Sequence, residues 1–425
     1  MNTAGRVIVV GGGVVGAACA YYLTRAGRTV EVFDRGGFGR ACSHGNCGFV
    51  CPSHVLPLAR PGAVWGTLRA MLHKDAPFFI KPRLDPALWS WLLAFARRCN
   101  VDDMMKSAQG IQALLNSSRA LYDELLRAER FDCEWESRGL LFVFRSRKAM
   151  EHYAGTDRLL RESFNIAAER YDGDALLALE PALKPGLAGG WLHRCDAHLR
   201  PDRLMACWRQ TLEARGVQIH EHCVVKGFVG GRGRARAVLT SAGELNADAF
   251  VIAAGALTPL LNPHLGCKLP IQPGKGYSIT MPRPSKCPAY PLVLEEHRVS
   301  VTPMRTGYRL GSTMEFSGYD RTLNRRRLKL LTEGARHYLM EPYGDVVEEE
   351  WYGWRPMTPD GLPVIDRSPS FANVFIAAGH NMLGVSMAPA TGKLVAELLA
   401  GAAAHIDPAP YSVARFGGLR GVIPV

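Results

Sequence analysis

Two periods of hydrophobic patterning run along this chain. Near the N-terminus Arg6 to Val10 and Thr29 to Phe33 are short β-branched runs, and "VVGAACAYYLTRAG" between them spaces its apolar residues as a helix that stops at Gly27. The pattern predicts strand, helix, strand. Two later runs, "ADAFVIAAGA" (247–256) and "FANVFIAAGH" (371–380), read as buried strands that each end at Ala-Gly. After the second, "NMLGVSMAPATGKLVAELLAG" predicts a helix opening at Ser386 or Pro389 and running to Gly401. A long helical stripe over 101–128 places Met104, Met105, Ala108, Ile111, Leu115, Tyr122 and Leu125 on one face, while "RVSVTPM" and "GYRLGST" alternate as strands do.

Glycines turn the first unit into a candidate nucleotide site. "GGGVVG" puts Gly11, Gly13 and Gly16 in G-x-G-x-x-G register, with Val14 and Val15 opening the helix. Gly11 permits the tight turn, Gly13 lets backbone approach a pyrophosphate, and Gly16 lets helix and strand pack closely. The free N–H groups and dipole of the helix start suit phosphate. Asp34, eighteen residues beyond Gly16, can accept both hydroxyls of a ribose. An acid at that position argues against a 2′-phosphate and leaves NAD or FAD. The C-terminal strand and helix favour FAD, because a helix N-terminus over the flavin stabilises the charge its ring gains on reduction.

Bulk properties narrow the class. At 425 residues two domains are expected, and 47% hydrophobic and 21% charged residues are globular values. No uncharged apolar run is long enough to span a bilayer as a helix, and the first apolar stretch lacks a basic leader, so a cytoplasmic protein is expected. Eleven cysteines, an odd number, suit reduced thiols. The net charge of +12 sits in short clusters, "GGRGRARAV" as a hairpin tip and "NRRRLK" as a solvated helix start. Neither is interleaved with aromatics, which excludes a nucleic-acid stacking surface.

One charge is out of place. In "WYGWRPMTPDGLPVID" (351–366) Arg355 sits among Trp351, Tyr352, Trp354 and Pro356, with no acid before Asp360. A guanidinium stays protonated, so a buried Arg355 needs an anionic partner from the protein or from a ligand. Cys42, Cys47 and Cys51, with His44 and His54 among them, match no C-x-x-C or tetrahedral zinc spacing, and no metal is expected. Residues 61–98 group Trp65, Leu68, Met71 and Leu72, then Phe78, Phe79 and Ile80, then Trp89, Trp91, Leu92, Leu93 and Phe95, edged by Lys74, Lys81, Arg83, Arg97 and Arg98. This pattern fits the wall of a substrate domain or a membrane interface.

Together "SHGNCGFVCPSHVLPLARPG" (43–62), "PGKGYSITM" (273–281), "GWRPMTPDGLPVI" and "AAGHNMLGVSMAPATG" resemble the FAD-dependent D-amino-acid dehydrogenase group, within the wider glycine oxidase, sarcosine oxidase and D-amino-acid oxidase superfamily. The resemblance implies that Arg355 binds a substrate carboxylate. It implies that Gly379, Met382, Leu383 and Gly384 lie against the flavin, and that Ser43, Asn46 and Gly48 form the Ser-x-x-Asn-x-Gly loop. Arg35, Val224, Ala254 and Gly255 complete the expected cofactor contacts. Tyr277 is taken as a phenol for the carboxylate, with Tyr308, Tyr319 and Tyr352 as other candidates, and His380, a titratable group at the flavin edge, as a loop-packing or flavin-contact residue, since amine oxidation does not demand a base. The chain departs from the pattern at Met382, where many oxidase relatives carry a nearby arginine. It has no cysteine after Cys287, so the covalent flavin link of sarcosine oxidases is not available and FAD is expected to be non-covalent.

The expected architecture is α/β: a discontinuous Rossmann-type FAD domain (1–60, 195–265 and 350–425) and an α+β substrate domain on a mixed sheet (61–194 and 266–349). The implied reaction oxidises the C–N bond of an amino acid, a D-amino acid or one of D-proline or hydroxyproline type, by hydride transfer from the α-carbon to flavin N5, giving an imino acid and then an oxo acid. A quinone or another acceptor takes the electrons, and contact with the inner face of the membrane is an option. The alternatives are a glycine or sarcosine oxidase that uses oxygen, and a structural flavoprotein subunit.

Overall fold

The computed structural model describes residues 5–66, 78–231, 233–344 and 346–417. Arg6–Val10 lies inside a six-stranded sheet ordered Val364–Arg367, Val374–Ala378, Ala249–Ile252, Arg6–Val10, Thr29–Phe33, Gln218–His220. Its strands are parallel except for the antiparallel edge Val364–Arg367. Central parallel strands are buried on both faces, which is why residues 7–10, Ala249–Ile252 and Val374–Ala378 are continuously apolar rather than alternating.

Helix Val14–Arg25 covers one face and meets helix Gly384–Ala400 so closely that a Cβ on Gly392 would lie 2.5 Å from the Ala18 carbonyl carbon. The second helix opens at Gly384, earlier than the Ser386 or Pro389 expected from sequence, and Pro389 lies inside it. An internal proline removes the N–H that would bond the carbonyl four residues back. Here that carbonyl, Val385, accepts instead from the Tyr122 hydroxyl at 2.6 Å, and the neighbouring Ala390 N–H donates to Ser118 Oγ at 3.0 Å. Ser118 and Tyr122 are one turn apart on helix Val101–Glu129 and mend the break from outside. Tyr122→Phe should therefore strand a buried carbonyl and cost about 1–3 kcal/mol, read as a melting temperature lower by a few degrees. An unchanged melting curve would count against this repair.

The second sheet is mixed and has nine strands: Glu349–Met357, Gln272–Met281, Gly307–Phe316, Val299–Met304, Leu292–Leu294, Leu140–Phe144, Gly189–His193 and Glu169–Asp172 in order, with Phe78–Ile80 added beside Gly307–Phe316. Helix Arg325–Arg336 packs Leu328, Leu331 and Ala335 against one face. Two sequence boundaries need correction. Residues 350–357 were grouped with the nucleotide-binding segments, yet Glu349–Met357 pairs along its whole length with Gln272–Met281, because its alternating aromatics suit a half-buried edge strand. Helix Val101–Glu129 was grouped with the substrate segments, yet its stripe Ala108, Ile111, Leu115, Tyr122 and Leu125 joins one core with Tyr21, Met387 and Leu394.

Of the amphipathic stretch 61–98, Leu68, Met71, Leu72 and Lys74 lie outside the described residues. Asp85 caps helix Pro86–Arg97 by accepting from the Ala87 and Leu88 amides. One side packs as core, with Leu88 and Trp91 buried against Met314, Phe316 and Met357. The other side leaves Trp89 59% and Leu93 54% exposed, near Leu84, which is fully exposed.

Candidate active site

The glycine turn is built as its spacing requires. Gly11 has φ +111°, and a Cβ there would lie 2.4 Å from the Ala253 carbonyl oxygen; a Cβ on Gly16 would lie 1.8 Å from the Gly11 carbonyl oxygen. Only glycine permits this approach of turn, helix and sheet. Gly13 caps the helix with no side chain. The Val14 amide donates to Ser43 Oγ at 2.9 Å, so the Ser43 loop is tied to the helix start, and Val15 follows in the first turn. Asp34 accepts from the amides of Gly12 and Gly36, both at 2.7 Å, which holds its carboxylate over the turn. Arg35 is exposed beside it, and Val224 is partly exposed just beyond Cys223, whose amide donates to the Asp34 carbonyl. Ala254 and Gly255, the latter at φ +56°, lead out of Ala249–Ile252 at the same sheet end.

From this edge a cleft of about 120 Å³ runs between loop 42–54, the large sheet at Ser312 and Arg355, and the turn at Met382 and Leu383. Asn46 Oδ1 accepts from the Gly48 amide at 2.7 Å, and Gly48, at φ +75°, has no room for a Cβ beside the Leu199 carbonyl oxygen. Arg309, 1% exposed, pins the loop to the sheet by donating to the carbonyls of His44 at 3.0 Å and Asn46 at 2.8 Å. Gly379 turns at φ +84°, and Met382, Leu383 and Gly384 lead into the helix without a side-chain cap, so its N-terminal dipole opens beside the cleft.

Arg355 is the centre of the cleft's charge. Its guanidinium donates to the Thr313 carbonyl at 2.7 Å and, more weakly, to the Ser312 carbonyl at 3.5 Å. Those carbonyls are aimed at it by a bulge in Gly307–Phe316, where Ser312 (φ +124°) and Thr313 (φ +51°) leave ordinary strand geometry. Strain of this kind at non-glycine residues costs of order 1–3 kcal/mol and gathers at functional sites. Gly276 makes the space, since a Cβ there would lie 2.3 Å from the guanidinium carbon. Among the described residues no carboxylate forms an ion pair with Arg355; Asp360, the nearest acid in sequence, is paired with Arg415. Cys42 and Cys47 are its nearest titratable neighbours, and burial pushes both thiols up, so they stay neutral. Burial likewise lowers the Arg355 pKa, with those thiols working weakly against it.

Tyr277 and His380 turn their side chains to other partners, although the Tyr277 backbone borders the cleft. Tyr277 pairs with Tyr352 rather than Arg355, which by strand alternation turns its ring to the opposite face. There it packs with Ile279 and Leu310 and donates to Glu315 at 2.9 Å, and burial together with Glu315 raises its pKa. Tyr308 and Tyr352 pack on the same far side, and Tyr319 donates to the Ala256 carbonyl. His380 is 2% exposed, bonded to Thr391 Oγ1 at 2.9 Å, with burial lowering its pKa to about 3. It is a neutral core residue and no base.

Other residues complete the surroundings of the cleft. Asn381, at φ +52°, ties the Thr358–Gly361 turn to Gly379 through its side-chain amide. Trp351 lies against Gly45 and Gly353, either of which would meet its ring at 2.1 Å if it carried a Cβ. His44 faces away to Glu349. Cys51 and His54 converge with Asp196 to within 4.8 Å. Both Asp196 oxygens accept hydrogen bonds from Ser53, its amide at 2.9 Å and its hydroxyl at 2.5 Å.

A βαβ nucleotide cradle joined to a cleft with an unneutralised arginine defines a dinucleotide-dependent oxidoreductase. Residues 6–398 match the family described as DAO, FAD dependent oxidoreductase, and the chain belongs to it. It is 34% identical over 424 residues to a D-amino acid dehydrogenase of Granulibacter bethesdensis, covering 97% of this chain and 100% of the relative. It is 36% identical to one of Methylobacterium nodulans, covering 97% and 99%. Its fold resembles the crystal structure of glycine oxidase from Geobacillus kaustophilus, with a TM-score of 0.78, 23% identity and coverage of 97% and 99%. The cofactor is FAD. The glycine cradle and the buried Ser278 Oγ and Thr313 Oγ1, without a hydrogen-bond partner among the described residues and set in the strands around Arg355, fit such a group.

Proposed function

We propose that this chain oxidises the carbon–nitrogen bond of an amino acid, as a D-amino-acid dehydrogenase does, and passes the electrons to a quinone or similar acceptor. The observation that carries this reading is Arg355, a permanent cation in a cleft that among the described residues has only two backbone carbonyls as hydrogen-bond partners. Those carbonyls use two of its five N–H groups and fix its plane, leaving three for a carboxylate. Gly11, Gly13, Val14, Val15, Gly16, Asp34 and Arg35 are the residues to hold the adenosine and pyrophosphate. Ser43, Asn46, Gly48 and the 379–384 turn are those to hold the ring. When bound, FAD supplies a two-electron acceptor for the hydrogen lost from the α-carbon. Arg355 orients the substrate against the ring.

The dehydrogenase side of the reading is supported by a second, small crevice of about 30 Å³ lined by Leu56, Trp91, Phe95, Ile111 and Met357. It shares Met382 and Leu383 with the main cleft and lies under the helix that exposes Trp89 and Leu93. Such a surface suits a cytoplasmic protein resting on the inner face of a membrane that contains the quinone. Among the described residues no helix is long and apolar enough to cross a membrane.

The test is anaerobic mixing with a panel of D- and L-amino acids, cyclic secondary ones and glycine and sarcosine included, followed at the flavin absorbance. Bleaching by D-amino acids and faster reoxidation by a soluble quinone than by air are expected. Acid precipitation of the same sample should release the flavin, and the protein should co-sediment with anionic vesicles at low salt. Bleaching by no amino acid would remove the reading, and fast reoxidation by air would make the protein an oxidase.

A further inference from the structure

Asp196 is 0% exposed, and no arginine, lysine or histidine forms an ion pair with it among the described residues. Its partners are neutral: the Ser53 hydroxyl donates to Oδ2 at 2.5 Å, the Ser53 amide to Oδ1 at 2.9 Å, and the Cys195 thiol lies 3.5 Å from Oδ1. Burying a carboxylate without a cation is costly, and proteins keep such groups chiefly where they are used. From Ser53 Oγ the chain of contacts continues to His54 Nδ1 at 3.3 Å, and His54 lines the cleft that holds Arg355. With Nδ1 turned to Ser53, Nε2 is the ring nitrogen left for the cleft.

An amino acid held by its carboxylate enters as the ammonium form. Its nitrogen must lose a proton before the lone pair can assist departure of the α-hydrogen. Resting on the amino-acid reading above, we propose that His54, Ser53 and Asp196 form the proton relay that deprotonates the bound substrate ammonium. The substrate N–H bond breaks as His54 Nε2–H forms, Nδ1–H passes its proton to Ser53 Oγ, and the Ser53 hydroxyl proton moves to Asp196 Oδ2. One proton crosses from ammonium to carboxylate, and no electrons change hands. Cys195, exposed beside Asp196, marks the way to solvent.

The surrounding charges suit this direction of transfer. Asp196 is faced by Cys51 and Ser53 from the loop, by Cys195 on its own segment and by Arg119 from the long helix, whose charge is more distant and acts weakly. His193 and Tyr153, bonded to each other at 2.8 Å, stand behind His54. Desolvation raises Asp196 to about 7, while His54, with only burial acting on it, falls to about 4. His54 therefore hands protons on rather than keeping them, and Asp196 receives them near neutral pH.

The holoenzyme and its Ser53→Ala and Asp196→Asn variants test the relay, with flavin content and melting temperature measured on each. In the unmodified enzyme the anaerobic rate of flavin reduction by a D-amino acid should rise with pH, with a midpoint near 7. Both variants should move that limb up by about two pH units, toward the ammonium's own ionisation. They should lose roughly 10²-fold at neutral pH and converge with the unmodified enzyme in alkali. Independently of turnover, the unmodified protein should show an infrared carboxylic C=O band that titrates away near pH 7 and is missing from Asp196→Asn. An equal loss at every pH, an unshifted limb, or no carboxylic band titrating near neutrality would overturn the relay while leaving the amino-acid reading in place. No reduction of the unmodified enzyme by any amino acid would overturn both. Should Asp196→Asn fail to fold, Ser53→Ala decides through the limb, since it keeps the carboxylate and the Ser53 amide and removes only the hydroxyl.

Discussion

Arg355→Ala is expected to lower kcat/KM by about 2–5 kcal/mol, with little change in FAD content or melting temperature. The size follows from stranding one member of a desolvated charge pair, because the bound carboxylate would face neutral thiols and backbone carbonyls in place of a cation. The small structural effect follows from what the side chain holds. Among the described residues it bonds only the carbonyls of Thr313 and Ser312, and these border an open cleft where water can replace the guanidinium. Arg355→Lys keeps the charge and loses the planar fork, so KM should rise and kcat fall together. Steady-state constants, flavin absorbance and a melting curve on one preparation check all of this. A destabilised protein with an unchanged KM would remove Arg355 from the substrate site.

The anomaly at Arg355 was legible in the sequence because a lone guanidinium among aromatics has few chemical explanations. The glycine turn was legible for a related reason: Gly11, Gly16 and Asp34 lie within one βαβ unit, where spacing fixes geometry. What failed depended on long-range register. Tyr277 lies one residue from Gly276, which makes room for Arg355, but one residue is the difference between the two faces of a sheet. The bulge at Ser312 and Thr313 had no signature, since neither residue is the glycine that positive φ favours. The helix start at Gly384 was misread because the groups that tolerate Pro389, Ser118 and Tyr122, lie more than 260 residues away. His380 looked titratable in a motif, and burial against Thr391 removes that capacity. Ser53 and Asp196, 143 positions apart, meet only through the fold.

Gly276→Ala should separate the position of Arg355 from its charge. A Cβ at 276 would lie 2.3 Å from the guanidinium carbon and as close to both terminal nitrogens, so the two cannot keep their present places. The guanidinium is the far end of a flexible side chain and will yield before the strand does, and Gly276 has no positive φ to strain an alanine. The cost therefore falls on orientation. A fork displaced by about 1 Å still attracts a carboxylate, but it turns the α-hydrogen away from its acceptor, and misplacement on that scale costs roughly 10²-fold in rate. kcat should fall more than KM rises, the reverse of the balance expected if charge alone were lost. Melting temperature and flavin content should match the unmodified protein, because the tight approaches at Gly11 and Gly16 are untouched. A second change, Arg355→Ala on top of Gly276→Ala, should add much less than it does alone, since both remove the same oriented contact. Full additivity of the two losses would mean that Gly276 acts through some other part of the cleft.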